Sequence, residues 1–196
     1  MRVSQAEKDK SHARIVQTAA RLIRERGPET TSVADVMTGA GLTHGGFYRH
    51  FGNKDALTEA ALDAAFEQIL GALDARLKSD TPPGALAGFK DLYLSEAHVG
   101  HPGLGCPIAA IAGEVARGTM ALKQVFGKGV ERLVARMAMG MPGAEARRRE
   151  HAIRQLAMMA GAVMIARASD PQTAQSVLVA CRSEGASHDE VAQDHS

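Results

Sequence analysis

The stretch TSVADVMTGAGLTHGGFYRHFGNKDAL, Thr31 to Leu57, constrains this chain more than any other part of it. Apolar residues at helical spacing stop at a glycine and restart after a threonine, which reads as two short helices around a tight turn. Thr31 or Ser32 is placed to cap the first helix, with Val33, Val36 and Met37 turned inward, and Gly41 supplies the turn. Thr43 caps the second, where Phe47 and Phe51 share one face at i, i+4 and leave His44, Gly45, Gly46, Tyr48, Arg49 and His50 mostly outside. Glycines inside a helix cost about 1 kcal/mol each relative to alanine. A purely structural helix has little use for Gly45 and Gly46, whereas one that brings its N-terminal end close to a duplex does. On this reading Tyr48 and His50 donate to phosphate oxygens, and Arg49 reads a guanine edge or neutralises backbone charge. Asn53 looks like the N-cap of a long following helix, so that Lys54 and free N–H groups form an anion-binding end.

From Ala40 to Leu57 the run AGLTHGGFYRHFGNKDAL strongly resembles the DNA-binding segment of the TetR family of bacterial transcriptional repressors. The resemblance is ungapped through Ala40-Gly41-Leu42-Thr43, Gly45, Phe47-Tyr48-Arg49-His50-Phe51, Asn53-Lys54-Asp55 and Leu57, and covers about Ser11 to Leu62. It implies that Thr43, His44, Gly46, Tyr48 and Arg49 face bases or nearby backbone, while Ser32, His50 and Lys54 hold phosphates. Ala34 departs from the pattern, since family members often carry a basic or polar residue there, and a contact at the start of that helix is not carried over.

Composition sets the frame around this segment. The chain has 196 residues, 45% hydrophobic, 4% aromatic and without tryptophan, which disfavours a β-sandwich and suits packed helices. Its formal net charge of +1 does not by itself announce a nucleic-acid binder. The cations are local instead, with Arg2, Lys8, Lys10, Arg14, Arg21, Arg24, Arg26, Arg49 and Lys54 crowded into the N-terminal part. No apolar run approaches the roughly 20 residues needed to span a bilayer, and MRVSQAEKDKSHAR lacks an apolar signal core, so a cytoplasmic protein without membrane partners is expected. Cys106 and Cys181 form no C-x-x-C pair, and a structural disulfide is not expected in a reducing compartment.

The expected fold is all-α. An N-terminal three-helix domain with a helix-turn-helix, residues 1–52, precedes a larger helical ligand-binding and dimerisation domain, residues 53–184, and a polar, disordered tail, residues 185–196. A first helix from about Glu7 or Ser11 to Arg26 carries the stripe Ile15, Ala19, Leu22 and Ile23 and ends at Gly27-Pro28. A long helix follows from Asn53 to about Ser79. Further helices are expected over about Ala85 to His98, Pro107 to Ala116, Met120 to Met139, Ala144 to Ala168 and Pro171 to Arg182, with Val99 to Gly105 as a loop.

In the penultimate helix Leu156, Met159 and Val163 lie on one side, yet Met158, Ala162 and Ile165 make the other side apolar too, and Val177, Leu178, Val179 and Ala180 repeat the surplus in the last helix. Self-association covers both faces economically. The family resemblance implies a homodimer through these last two helices, presenting two recognition helices to a palindromic operator with half-sites roughly 34 Å apart. A small-molecule effector that favours another head spacing then releases the DNA. Its pocket is expected among Phe66, Phe89, Tyr93, Ile108, Ile111, Phe126 and Met137, an apolar lining without a named effector.

Cys106 stands apart. It follows Gly-Leu-Gly, precedes Pro107 at a helix start and has His98 and His101 nearby in sequence, a setting in which a helix dipole lowers a thiol pKa. Thiol modification is therefore a second route of release. His98, His101 and Cys106 match no standard zinc spacing, and neither a metal nor a cofactor is expected. An alternative reading makes Cys106 the nucleophile of a thiol-dependent enzyme, but no motif places an orienting Asp or Asn and no phosphate-cradling loop appears. A structural helical dimer without DNA binding is the remaining alternative. The sequence favours a regulator over an enzyme.

Overall fold

In the computed structural model, which describes residues 4–183, every element is helical. Among the described residues the α-helices are α1 (Gln5–Arg26), α2 (Val33–Gly39), α3 (Lys54–Ser79), α4 (Pro82–Tyr93), α5 (Glu96–Gly100), α6 (Pro107–Arg117), α7 (Met120–Ala138), α8 (Glu145–Ala168) and α9 (Pro171–Ser183). Two 3-10 helices, His44–Arg49 and Pro102–Leu104, interrupt the loops. The tail expected beyond residue 184 lies outside the described residues.

The chain forms two compact units, one from the described part of Met1–Ala72 with His101–Leu133, the other from Leu73–Gly100 with the described part of Val134–Ser196. Two of the three boundaries between them fall inside α3 and α7, and the third directly after α5.

The first unit begins earlier than the periodicity alone indicates. Ser4 caps α1 by accepting from the Glu7 N–H at 3.2 Å, and the Glu7 carboxylate accepts from the Ser4 N–H at 3.3 Å, so the helix gains two turns of N-terminal surface. Its stripe Ile15, Ala19, Leu22 and Ile23 is buried as the spacing indicates, and Gly27, at φ +85°, turns the chain out of the helix. Arg24 is also buried, 3% exposed, and donates to the carbonyls of Ala20 and Gly105 at 2.8 Å each and to Gln68 Oε1 at 2.5 Å. Burial pushes its pKa down to about 10, with Cys106 and Glu25 opposing the shift, so it remains a cation at neutral pH. The segment before α6 is thereby tied to α1.

Farther along, Phe66 of α3 meets Phe126 of α7 edge-on at 5.7 Å, beneath Gly129. A Cβ added at Gly129 runs into the Phe66 ring, whereas one at Gly127 meets nothing within 4 Å. Gly127→Ala is therefore expected to stabilise by about 1 kcal/mol through helix propensity. In Gly129→Ala, overpacking costs about 1–3 kcal/mol and outweighs that gain. Opposite shifts in melting temperature check the pair, and shifts of one sign refute the packing.

The second unit corrects one expected helix. The region read as a single helix over Ala85 to His98 starts at Pro82 and divides after Tyr93. Thr81 caps α4 through the Gly84 N–H, which allows Pro82 and Pro83 to open the helix because their missing donors belong to its unbonded first turn. Ser95 then accepts from the His98 N–H at 3.1 Å and starts α5, while Arg182 donates to the Leu94 carbonyl and Nδ1 of His98 lies 2.5 Å from that of Tyr93. Side chains thus satisfy the backbone where the helix breaks. The expected loop from Val99 correspondingly shrinks, and Arg167 of α8 holds the carbonyls of His98 and Val99 at 2.8 and 3.1 Å. Asp170 caps α9 through the N–H groups of Gln172 and Thr173; these bonds and the Thr173 hydroxyl keep its carboxyl below the usual range.

Candidate nucleic-acid interface

The site is assembled from α1, α2 and the turn His44–Arg49, all in the first unit. Ser32 caps α2, its Oγ accepting from the Asp35 N–H at 3.0 Å and donating to the Asp35 carboxylate at 2.7 Å. The hydroxyl, and then the Ser32 N–H donating to the same carboxylate at 3.2 Å, hold the Asp35 carboxyl below the usual range. Val36 and Met37 are buried, while Val33, expected inside, is half-buried. Gly41 adopts φ +68°, the left-handed conformation the turn requires.

The second short helix is a 3-10 turn, His44–Arg49, not a turn of α-helix. Thr43 sits at its N-cap position without a side-chain cap bond, and its carbonyl accepts from the Gly46 N–H at 3.0 Å. Phe47 and Phe51 are buried as the spacing indicates, with rings 5.9 Å apart. They anchor the turn, and Tyr48 and Arg49 between them face out. Tyr48 is 72% exposed, and His44, Gly45 and Arg49 are exposed as well. Arg49 makes no hydrogen bond or ion pair among the described residues. Nothing lies within 4 Å of a Cβ built on Gly45, and one on Gly46 makes only ordinary contact with Met37. Neither glycine is thus required by the packing of this chain itself.

His50 is half-buried, and its Nδ1 is enclosed without a hydrogen-bond partner. Burial, then the charges of His12, Lys8 and Arg49, push its pKa below the ordinary histidine value. The structure also adds residues that sequence reasoning missed. Gln5, Lys8 and Ser11 of α1 line a cleft of about 540 Å³ together with Thr43, Gly46, Arg49 and His50, over a floor of Met37 and Leu42. The signal for them was the Ser4-x-x-Glu7 capping box, which extends α1 to this edge.

Lys54 sits elsewhere in the unit. Asn53 caps α3 through the Ala56 N–H at 2.8 Å, as the sequence indicates, but Lys54 Nζ donates to the Glu29 carbonyl at 3.0 Å. The adjoining cleft of about 200 Å³ carries the carboxylates of Glu29, Asp55, Glu59 and Glu114 against the cations of Lys54 and Arg117. The residues expected around an effector divide between the units: Phe66, Cys106, Ile108, Ile111 and Phe126 in the first, Phe89, Tyr93 and Met137 in the second. All are fully buried except Ile108 and Phe126, which are half-buried, and Cys106 occupies the N-cap position of α6.

The segment that carries the buried anchor and the exposed glycine-tyrosine-arginine face is also the segment in which the chain matches a known family. Residues 15–61 match the family described as bacterial regulatory proteins, tetR family. This stretch of the chain is similar to the TetR family. Over 74 residues, 38% of this chain and 39% of the relative, it is 38% identical to the HTH-type transcriptional repressor Rv3405c of Mycobacterium tuberculosis. Over 67 residues, 34% of this chain and 32% of the relative, it is 37% identical to the HTH-type transcriptional regulator TtgR of Pseudomonas putida. The chain therefore spans about a third to two fifths of the length of these curated relatives. A TetR transcriptional regulator from Chloroflexus aurantiacus superposes with a TM-score of 0.74 at 25% identity, covering 92% of this chain and 94% of that one. The family match in sequence thus includes the turn but not the α1 wall of the cleft, and the helical fold is shared over nearly the whole chain.

Proposed function

We propose that this chain is a sequence-specific DNA-binding transcriptional regulator of the TetR type, a homodimeric repressor that a small apolar effector releases from a palindromic operator. The observation that carries the reading is the outward face of the turn His44–Arg49: exposed Tyr48 and Arg49 beside Gly45, whose open side no described residue fills, and Gly46, where an added Cβ makes only ordinary contact. Such a face suits the major groove, where close approach and hydrogen-bonding side chains are both needed. The similar protein Rv3405c is named a repressor, which supports the direction of regulation.

Dimerisation through α8 and α9 is supported by what these helices leave uncovered. Leu156, Met159, Ala162, Val163 and Leu178 are buried, yet Ile153, Met164, Ile165 and Val179 are 41%, 45%, 51% and 49% exposed. An apolar face of this kind is expected to pair with its twofold copy. Of the two release routes, burial favours the effector: Cys106 is enclosed at the head of α6, so a modifying reagent reaches it only when the segment before α6 opens.

A salt titration tests the function. Binding of the purified protein to an inverted-repeat duplex selected from a random pool is expected to weaken linearly in log Kd with log salt, because phosphate contacts release counterions. Failure to enrich any inverted repeat, or thiol-dependent turnover that survives loss of Arg49, returns the chain to the enzyme or structural readings.

A further inference from the structure

The cleft between the start of α1 and the recognition turn has a charge pattern that the proposed reading of Tyr48 and Arg49 does not use. Its lining brings together the Lys8 ammonium, the Arg49 guanidinium, the His50 imidazole and the hydroxyls of Ser11 and Thr43, and among the described residues no carboxylate lines it. The Gln5 amide at its rim donates to Asp9 one turn along α1. His12, the next residue of the α1 face after Lys8, stacks on Phe51 at 4.8 Å and stands 5.8 Å from the ring of His50. The charged groups facing His50 are thus Lys8 and His12 from α1 and Arg49 from its own turn, all of one sign when protonated. Its enclosed Nδ1 has no hydrogen-bond partner among the described residues.

We infer that this cleft is a phosphodiester-binding site, and that filling it is linked to protonation of His50 beside His12, so that the protein takes up a proton when it grips a nucleic-acid backbone. The inference rests on the DNA-binding reading above and adds Lys8 and the histidine pair to it. The physical reason is electrostatic compensation. With the cleft empty, cations press on cations and the neutral imidazole is favoured, in keeping with the lowered pKa of His50. A phosphodiester is an anion throughout the physiological range. Placed among Lys8, Arg49 and His50, it favours the imidazolium and makes charge-assisted hydrogen bonds.

The sign of the linkage follows. The bound state has the higher histidine pKa and holds more protons between the free and bound values, so affinity rises as pH falls through that window. One coupled proton gives at most about tenfold in affinity per pH unit. Phosphate contacts carry no sequence information, so a fluorescein-labelled duplex of random sequence at low ionic strength is a sufficient probe.

Anisotropy titrations of the full chain with that probe, from about pH 8.5 down to about pH 5.5, cover the range in which histidine charges. Wild type is expected to tighten by about threefold to tenfold per unit below neutrality. His50→Gln is expected to weaken binding at low pH toward its high-pH level and so flatten the profile. His12→Gln removes a charge beside His50 and is expected to move the midpoint to higher pH. Lys8→Gln is expected to reduce the salt slope by about one contact. As a readout independent of binding strength, the proton resonances of the His50 ring are expected to titrate at higher pH with duplex than without. Salt-dependent binding with no pH dependence overturns the proton linkage and leaves DNA binding standing, as does a slope that persists in His50→Gln. An unchanged salt slope in Lys8→Gln overturns the cleft. Absence of binding at every pH instead overturns the DNA reading on which the inference rests.

Discussion

Arg24→Ala is expected to destabilise the first unit by about 3 kcal/mol, because it strands acceptors that the fold has already removed from water. The guanidinium is 3% exposed and serves three acceptors on three parts of the chain: the Ala20 carbonyl in its own helix, Gln68 on α3 and Gly105 just before α6. Of these, Gly105 is itself buried. Its carbonyl loses a charge-assisted bond and cannot regain water without the segment moving. For a chain of this size the loss corresponds to a melting temperature lower by roughly 6–12 °C. Arg24→Met separates the contributions, since it keeps much of the volume and removes only the donors. Native-state hydrogen exchange at Gly105 and Cys106 is expected to quicken in both variants. A melting temperature unchanged in Arg24→Ala shows that desolvation of the charge cancels its hydrogen bonds, and the tie between α1 and the start of α6 then has no net value.

Arg49→Ala is expected to cost about 1–3 kcal/mol of operator binding, roughly 5- to 150-fold in Kd, with no loss of folding stability beyond about 0.5 kcal/mol. The separation is possible because Arg49 is exposed and bonded to nothing within the described chain, so its removal disturbs no internal partner. The form of the loss discriminates its role. A base contact relaxes preference at one operator position, while a phosphate contact weakens all sequences alike and lowers the salt slope by about one. Tyr48→Phe extends the test: the ring keeps its edge contact with Phe47 at 5.2 Å and loses only the hydroxyl. Binding indistinguishable from wild type in both variants shows that this face does not carry recognition. Measurement uses a duplex selected by the wild-type chain and a thermal melt of each variant.

Much of the first unit was legible because its signals are local. Helix stripes, the Ser32 and Asn53 caps, the Gly41 turn and the Phe47–Phe51 anchor each depend on residues within a few positions, and the structure has all of them. Where the reading erred, the deciding contacts were distant or the local rule had been passed over. The division of the Ala85 to His98 region depends on Arg182, far along the chain, as well as on Ser95. Val33 is half-buried because a helix of seven residues has too few turns to present a full apolar face. Lys54 was read as a cation beside free N–H groups. The sequence did not reveal that Glu29 offers it a carbonyl and that carboxylates from α3 and α6 gather around it.

By itself, the sequence determined that the chain is helical, where most helices begin and end, and that its TetR-like turn presents glycines, a tyrosine and an arginine outward; propensity, capping and periodicity act over one or two turns. Only the tertiary structure decided that Lys8 and His12 stand against Arg49 and His50, that Arg24 is buried beside the segment before α6, and that Cys106 is enclosed. Those outcomes depend on desolvation and on charges brought together from separated positions. Both arise from packing in three dimensions, which no spacing along the chain encodes.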